Sequence, residues 1–406
     1  MHFLPILSTL RRHRTAAALL VIEIALTCAI VSNAIFLISE RLTKMSRDSG
    51  VAEDELVRLH ISAIGTKQNA EALTAQDHAA LKAIPGVKSV ANSNMVPFGN
   101  SSWNSSISTL QHDPNAPINA GMYMGGVDML PTLGVELVAG RNFTPEEIVG
   151  FEDFRKHRTR LPAVIITRGI AEKLFPNQNP IGKSLDVSGD EPSTVVGVIA
   201  KLVRPNEVNG LSQKDYSMLL PVQVPYTVGG NYLLRVDPER RHEVLAAAEA
   251  ALTKLDPGRI FLDRQTFDDM RKEYFKDDRA MAWLLAGTCI ALLIITALGI
   301  VGLASFWVQQ RTRQIGIRRA LGATRGDILR YFQTENLILA TIGIILGMGL
   351  AYAINLWLMK SYQIARLPAG FLPVGALLLW LLGQIAVLGP ALRASLIPPA
   401  IATRTV

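Results

Sequence analysis

The densest chemistry in this chain lies between Gln310 and Arg330, QRTRQIGIRRALGATRGDILR, where six arginines stand against one acid, Asp327. Guanidinium groups at this density dock on acidic surfaces or phosphates. Other reactive arrangements are fragmentary. Gly182-Lys183-Ser184 has the ending of a phosphate-cradling loop. That loop needs G-x-x-x-x-G-K-[ST], because its backbone amides wrap the phosphates, and Asn177 stands where the first glycine is required. His157 has no nearby His or Cys with which to hold a metal. Neither H-E-x-x-H nor G-x-S-x-G occurs. The expectation is a chain with no catalytic residues, no metal and no cofactor of its own.

The elements that carry the arginine run are apolar. Thr15–Ile38 contains one acid, Glu23, while Ala280–Val308, Asn336–Met359 and Phe371–Leu392 contain no charged residue. A helix rises about 1.5 Å per residue against a hydrocarbon core of about 30 Å, so each window is long enough to span a bilayer. Buried helices of a large soluble domain are the alternative, and four such windows argue against it. Gly389-Pro390 is expected to break the end of the last window. The first apolar run is longer than the core of a secretion signal and no small-x-small site follows it, so it reads as an uncleaved anchor. Arg11, Arg12 and Arg14 precede the first window, the six arginines follow the second, and Arg393 and Arg404 follow the fourth. The positive-inside tendency then places both termini and the arginine loop in the cytoplasm, with Glu40–Arg279 outside. The net charge of +7 is largely accounted for by this topology and calls for no nucleic-acid partner.

The resulting expectation is an α-helical integral membrane protein with four transmembrane helices and a large α+β outer domain. Its parts are a cytoplasmic N-terminus (1–14), a first span (15–39), an outer domain (40–279), a second span (280–308), a cytoplasmic segment (309–330), a third span (331–359), a short outer loop (360–370), a fourth span (371–392) and a cytoplasmic tail (393–406). The only cysteines, Cys28 and Cys289, fall inside spans and read as apolar packing residues. The outer domain must therefore fold without disulfides.

Within the outer domain, ELVRLHIS (55–62) alternates as a strand does, Thr74 is placed to cap a helix running to about Ile84, and Val87–Val96 looks extended. A second strand–helix–strand unit follows late: 232–236, 239–255 and 260–263. Between them lie strand-like PAVIIT (162–167), STVVGVIA (193–200) and SMLLPVQV (217–224). The expectation is a split α/β subdomain (50–120 and 227–264) with a mostly β insertion (121–226). Asn92–Asn119 reads as an exposed polar loop. Its aromatics, Phe98 and Trp103, either pin it to its own domain or contact a partner. Arg264–Arg279 has apolar residues at helical spacing and runs into the second span, so it reads as a stalk helix, with 41–54 as its partner. A short surface helix is the plainer reading.

Small residues mark the spans: Gly299 and Gly302 in the second, Gly343 and Gly347 as G-x-x-x-G in the third. They let helices approach within the chain or across a dimer seam. Glu23 should face protein or be neutral, since charge mid-span costs about 2.5–3.5 kcal/mol. Glu335, at the edge of the third span, reads as interfacial. In the arginine loop Ile315, Ile317, Ala320 and Leu321 form an apolar edge, Arg313, Arg318 and Arg319 supply charge, and Gly322 can end a helix before Thr324 or Asp327 starts the next. Anionic lipid would attract the same arginines.

RQIGIRRALGA (313–323) resembles the pattern R-E-I-G-[IV]-x-[KR]-A-[LI]-G-A of the MacB/FtsX family of ABC transporter permeases. AGRNF (139–143), IAEKLFPNQNPIGKSL (170–185), TVVGVI (194–199) and IPGVKSV (84–90) are similar, in order, to motifs of that family's periplasmic core domain, and PALRASLIPPAIATR (390–404) to its ending. The resemblance covers essentially the whole chain. It implies a permease subunit of an ATP-driven export or extrusion system in a bacterial inner membrane. ATP and Mg would be bound by a separate ATPase subunit that engages Arg313, Gln314, Ile315, Gly316, Ile317, Arg318, Arg319, Ala320, Leu321, Gly322 and Ala323. Its motion would pass up a stalk to the periplasmic domain (mechanotransmission). A second permease, as homodimer or heterodimer, is implied, with a membrane-fusion protein as a further possible partner. An FtsX-like regulatory subunit acting on a periplasmic partner, or a lipoprotein-release permease, shares the pattern. Gln314 departs from the family's glutamate: it can hydrogen-bond but cannot form an ion pair.

Overall fold

The computed structural model describes residues 14–63, 69–109, 118–187, 191–205, 215–362 and 366–398. Arg11, Arg12 and Arg404, and the tail beyond Pro398, lie outside them. Besides short helical turns such as Met129–Leu133, Phe151–Arg155 and Arg168–Leu174, the elements in chain order are α1 (Arg14–Met45), β1 (Leu56–Ala63), α2 (Ala70–Lys82), β2 (Val87–Ser93), β3 (Asn104–Ile107), β4 (Ile118–Gly125), β5 (Leu137–Gly140), β6 (Val149–Gly150), β7 (Ala163–Thr167), β8 (Ser184–Leu185), β9 (Ser193–Ile199) and β10 (Ser217–Gln223). Then follow β11 (Asn231–Val236), α3 (Arg241–Leu255), β12 (Arg259–Thr266), α4 (Phe267–Tyr274), α5 (Lys276–Gln310), α6 (Thr312–Ala320), α7 (Arg325–Tyr362) and α8 (Phe371–Ser395). Contacts divide the chain into two units: Arg47–Lys276, and the residues before and after it.

In the outer unit, β12-β1-β11-β2 form a four-stranded sheet whose neighbours all run antiparallel. The chain order β1-α2-β2 … β11-α3-β12 makes this a split βαβ unit, ferredoxin-like in its strand order. Alternation explains its layering. Val57, Leu59 and Ile61 on β1 are buried with Leu81 of α2 and Val244, Ala248 and Leu252 of α3, while Arg58 and His60 turn to the other face. Asp77 of α2, fully buried, accepts from Arg259 Nη2 of β12 at 2.5 Å and from the Tyr232 hydroxyl of β11 at 2.5 Å. One carboxylate thus ties both halves of the split unit together. Thr74 does not cap α2, which starts a turn earlier at Ala70. Its hydroxyl donates to Ala70 O and accepts from Tyr226 N–H.

The inserted strands make a second sheet, in the order β3-β4-β10-β7-β9-β5, with β6 and β8 pairing β10 and β9 at its margins. β4 with β10 and β7 with β9 run parallel. This sheet begins at Asn104, earlier than the expected boundary at 121. Asn92–Asn119 is accordingly not one exposed loop. Residues 92–99 are buried, 104–107 form β3, and 110–117 lie outside the described residues. The Asn94 amide is buried because it joins the two sheets: it donates to Met122 O at 2.9 Å and accepts from Met124 N–H at 2.9 Å. Asn231 donates to Ser93 O at 3.1 Å within the first sheet.

The expected stalk helix over Arg264–Arg279 is three elements. Arg264, Gln265 and Thr266 complete β12 by pairing with Leu59, Arg58 and Val57. The Thr266 hydroxyl then accepts from Asp269 N–H to cap α4, and Phe275 (φ −96°, ψ 13°) separates α4 from α5. The helix from the first span stops at Met45 rather than continuing to residue 54. Within the outer unit, Arg271 of α4 donates to both carboxylate oxygens of Glu53 (2.6 and 2.8 Å) and stacks 5.1 Å over Phe98.

In the membrane unit, α1, α5, α7 and α8 are each long and apolar enough to span. α1 is the most enclosed: 56% of its most apolar window is buried, against 17% for α5. Gly343 and Gly347 of α7 explain this, because a Cβ on Gly347 would lie 2.5 Å from Cys28 Cβ and 2.6 Å from Ala25 O of α1. Above the apolar run, Arg41 and Lys44 of α1 both pair with Asp278 of α5. Gly389-Pro390 does not end α8, which runs on to Ser395 with Pro390 buried inside it. Proline is tolerated in a spanning helix where neighbours re-satisfy the backbone.

Candidate functional site

The arginine loop folds into one short helix between two long ones. Arg311 (φ −104°, ψ 11°) breaks α5 from α6, and Gly322 (φ 98°) breaks α6 from α7. Gly322 sits in the left-handed region that favours glycine. Behind it, Ala323 N–H donates to Arg318 O at 3.0 Å, closing the helix end. Thr324 and Asp327 then cap α7 reciprocally: Thr324 N–H donates to Asp327 Oδ2 at 3.0 Å, and Asp327 N–H to Thr324 Oγ1 at 3.2 Å. The helix stop and start expected from the sequence are both present.

The two faces of α6 differ. Arg313, Gln314, Ile317, Arg318, Ala320 and Leu321 are exposed, Ile317 by 45% and Leu321 by 83%. Arg313, Ile317, Ala320 and Leu321 lie at i, i+4, i+7 and i+8, which is one helix face. Ile315 and Gly316 are buried. Ile315 packs with Val308, Ile328, Phe332, Ala391 and Ala394 and does not join the exposed apolar edge. Arg319 likewise departs from its expected role, since its guanidinium donates to Ser395 O at 2.6 Å and Ile397 O at 3.3 Å, holding the end of α8. Arg318 remains exposed, stacked 4.8 Å over Tyr331. The outward surface is thus Ile317 and Leu321 rimmed by Arg313, Gln314 and Arg318, with Ala323 half-buried behind.

Glu335 is buried against its own chain: it is 1% exposed, and Arg311 donates to both its oxygens at 3.0 and 2.8 Å. The sequence held one signal for this, a lone acid at the edge of an apolar window with an arginine at the far end of the same loop. Glu23 lies against α5, its Oε2 2.7 Å from where a Cβ on Gly299 would stand, so the one mid-span acid faces protein. Gly299 therefore packs within the chain, as Gly343 and Gly347 do, whereas Gly302 has open space around its Cα.

Of the outer candidates, Phe98 is 3% exposed and packs against Phe267, Tyr274 and Phe275, while Trp103 packs against Phe151. Phe98 therefore serves its own domain, while Trp103 packs on its own domain and stays half-buried. Gly182-Lys183-Ser184 forms a turn into β8, with Gly182 N–H donating to Val195 O at 2.8 Å. A strand follows the lysine directly, where a phosphate loop has a helix N-terminus.

A multi-pass α-helical membrane protein with a two-part α/β outer domain and a basic loop helix is what these features define. Residues 15–255 match the MacB-like periplasmic core domain, more than half of the chain, and residues 287–399 match the FtsX-like permease C-terminal domain. The chain belongs to the MacB/FtsX family of ABC transporter permeases. It is 28% identical over 243 residues to the macrolide export ATP-binding/permease protein MacB of Chromobacterium violaceum, covering 59% of this chain and 36% of that protein. It is 25% identical over 363 residues to the pyoverdine export ATP-binding/permease protein PvdT of Pseudomonas aeruginosa, covering 85% and 49%. The chain thus spans half or less of the length of these relatives. Among solved structures, the periplasmic region of MacB from Actinobacillus actinomycetemcomitans aligns at 15% identity and a TM-score of 0.34, covering 57% of this chain and 97% of that one. The extracellular domain of the transporter YknZ aligns at 18% and 0.32, covering 51% and 100%.

Proposed function

We propose that this chain is the permease subunit of an ATP-driven export system of a bacterial inner membrane, with both termini cytoplasmic and the α/β unit periplasmic. ATP and Mg are bound by a separate ATPase subunit, which docks on α6. The observation that carries this reading is the exposed apolar pair Ile317 and Leu321, rimmed by Arg313 and Arg318, on a short helix stiffened at both ends. A solvated basic loop has no need of an 83% exposed leucine. The relatives' names share export as their activity, and the basic loop follows the positive-inside trend. Motion imposed on α6 reaches the periplasmic domain through α5 and α1, which Arg41, Lys44 and Asp278 hold together above the apolar run. A second permease completes the membrane part, with the open side of α5 at Gly302 available to it. A membrane-fusion protein is the expected outer partner.

The test is co-purification of the full chain from its native membrane, followed by ATPase assays in proteoliposomes. An ATPase that co-purifies, is stimulated by this chain and is released by Leu321→Asp supports the reading. Absence of any ATPase overturns it. An ATPase accompanied by a cell-wall enzyme in place of a fusion protein would replace export with regulation.

A further inference from the structure

Arg311 is the one residue of the α5–α6 elbow outside helical geometry, and its side chain is its most constrained part. The backbone N–H donates to Trp307 O (3.1 Å) and Val308 O (3.2 Å), and the carbonyl accepts from Ile315 N–H (2.9 Å). The guanidinium turns inward, stacks 5.4 Å from the centre of the Trp307 ring, and donates from Nη1 to both oxygens of Glu335 on α7. The two charged side chains are 8% and 1% exposed. Burying an ion pair carries a large desolvation cost on each ion before their attraction is counted, and an apolar pair of similar volume is often no less stable. Stability is therefore a weak reason for this pair. What an apolar pair lacks is direction: charged hydrogen bonds from one guanidinium nitrogen to both carboxylate oxygens, with the Trp307 ring behind, constrain angle as well as distance.

We propose that the Arg311–Glu335 pair positions the coupling helix, clamping the elbow to the third span so that displacement of α6 moves α7 and α5 together instead of flexing at residue 311. Placing the source of that displacement in an ATPase rests on the function proposed above. The clamp itself is a property of this chain and is testable without a partner.

The experiment uses the full chain in lipid nanodiscs, with Cys28 and Cys289 replaced by alanine and spin labels on Gln314→Cys (α6) and Leu337→Cys (α7). Electron–electron resonance reads the distance distribution between them, and limited trypsinolysis reads access to Arg313 and Arg318. The parent should give one narrow distribution. Glu335→Gln keeps the side-chain shape and removes the charge; it should broaden the distribution and raise cleavage about tenfold, as expected when a locally stabilised segment opens more often. Arg311→Lys, which keeps the charge without the planar group stacked on Trp307, should fall between. Should Glu335→Gln fail to fold, the paired change Arg311→Met with Glu335→Leu restores an apolar contact, and the clamp then requires a broad distribution in a stable protein. A pair that merely stabilises would lower the melting temperature with no broadening. A parent-like distribution and cleavage rate in Glu335→Gln, or in the paired apolar variant, overturns the proposal. Leu321→Asp, which tests ATPase docking, should leave the distribution narrow, so the two readings fail separately.

Discussion

Removal of the Asp77 carboxylate is the sharpest test of how the outer unit is held together. Asp77 is fully buried, and the Arg259 side chain it pairs with is 2% exposed. In Asp77→Ala the nearest remaining carboxylate to that guanidinium is Asp256, 3.8 Å from Nε, and the Tyr232 hydroxyl loses its acceptor. Breaking a buried pair by deleting one member costs about 3–5 kcal/mol, because the other charge is left without compensation. For a domain of this size each kcal/mol lowers Tm by about 2–4 °C, so a fall of about 6–20 °C is expected. The assay is thermal unfolding of residues 47–276 by circular dichroism, with urea titration as a second probe. Asp77→Asn, which keeps an acceptor for Tyr232, should lose less. Replacing Asp77, Arg259 and Tyr232 together by Leu, Met and Phe should recover most of the loss, since no buried charge remains. A change below about 1 kcal/mol in Asp77→Ala would refute the assignment of this pair as the tie between the two halves.

Three further outcomes are expected. Gly347→Leu drives side-chain atoms into Cys28 and the Ala25 carbonyl and should cost about 1–3 kcal/mol by overpacking; Gly302→Ala, with nothing within 4 Å, should melt like the parent in detergent. His60 and His78 are both held below their ordinary range, by burial first, and for His60 by Arg58 as well. Their neutral forms are favoured in the fold, so stability is fully present above about pH 6.5 and falls as the pH drops below it; His78→Gln should flatten the dependence of Tm on pH between 7 and 5, and an unaltered slope would count against it. Arg319→Ala should free the end of α8 and speed tryptic cleavage after Arg393, with the outer unit's melting unchanged.

Much of this architecture is written in local pattern. The four spans follow from charge-free length, and the βαβ halves follow from the alternation of Val57, Leu59 and Ile61 and the period of Val244, Ala248 and Leu252. The turn at Gly322 and the Thr324–Asp327 cap were legible because helix ends have residue-specific chemistry. What the sequence hid depends on partners far along the chain. Asn94 looks like loop material until Met122 and Met124 stand beside it. Arg319 looks like a docking charge until the carbonyls of Ser395 and Ile397 arrive. The pairing of Glu335 is hidden until Arg311 folds inward, and the helical spacing of 264–266 yields to pairing with β1.

The order of strands in the split sheet has a consequence for how the protein comes to exist. β1 lies between β11 and β12, the last two strands of the outer unit to be made. During synthesis at about 5–20 residues per second, β1 waits on the order of ten seconds or more for the neighbours that cover its edges. The inserted sheet, β3 to β10, is complete before that wait ends. A nascent chain therefore carries one finished subdomain beside an unpaired apolar strand, the kind of edge that seeks another chain. Such long-range pairing is intrinsically slow. Biogenesis of this permease should depend on a holding chaperone that shields residues 56–61 until Thr266 has emerged.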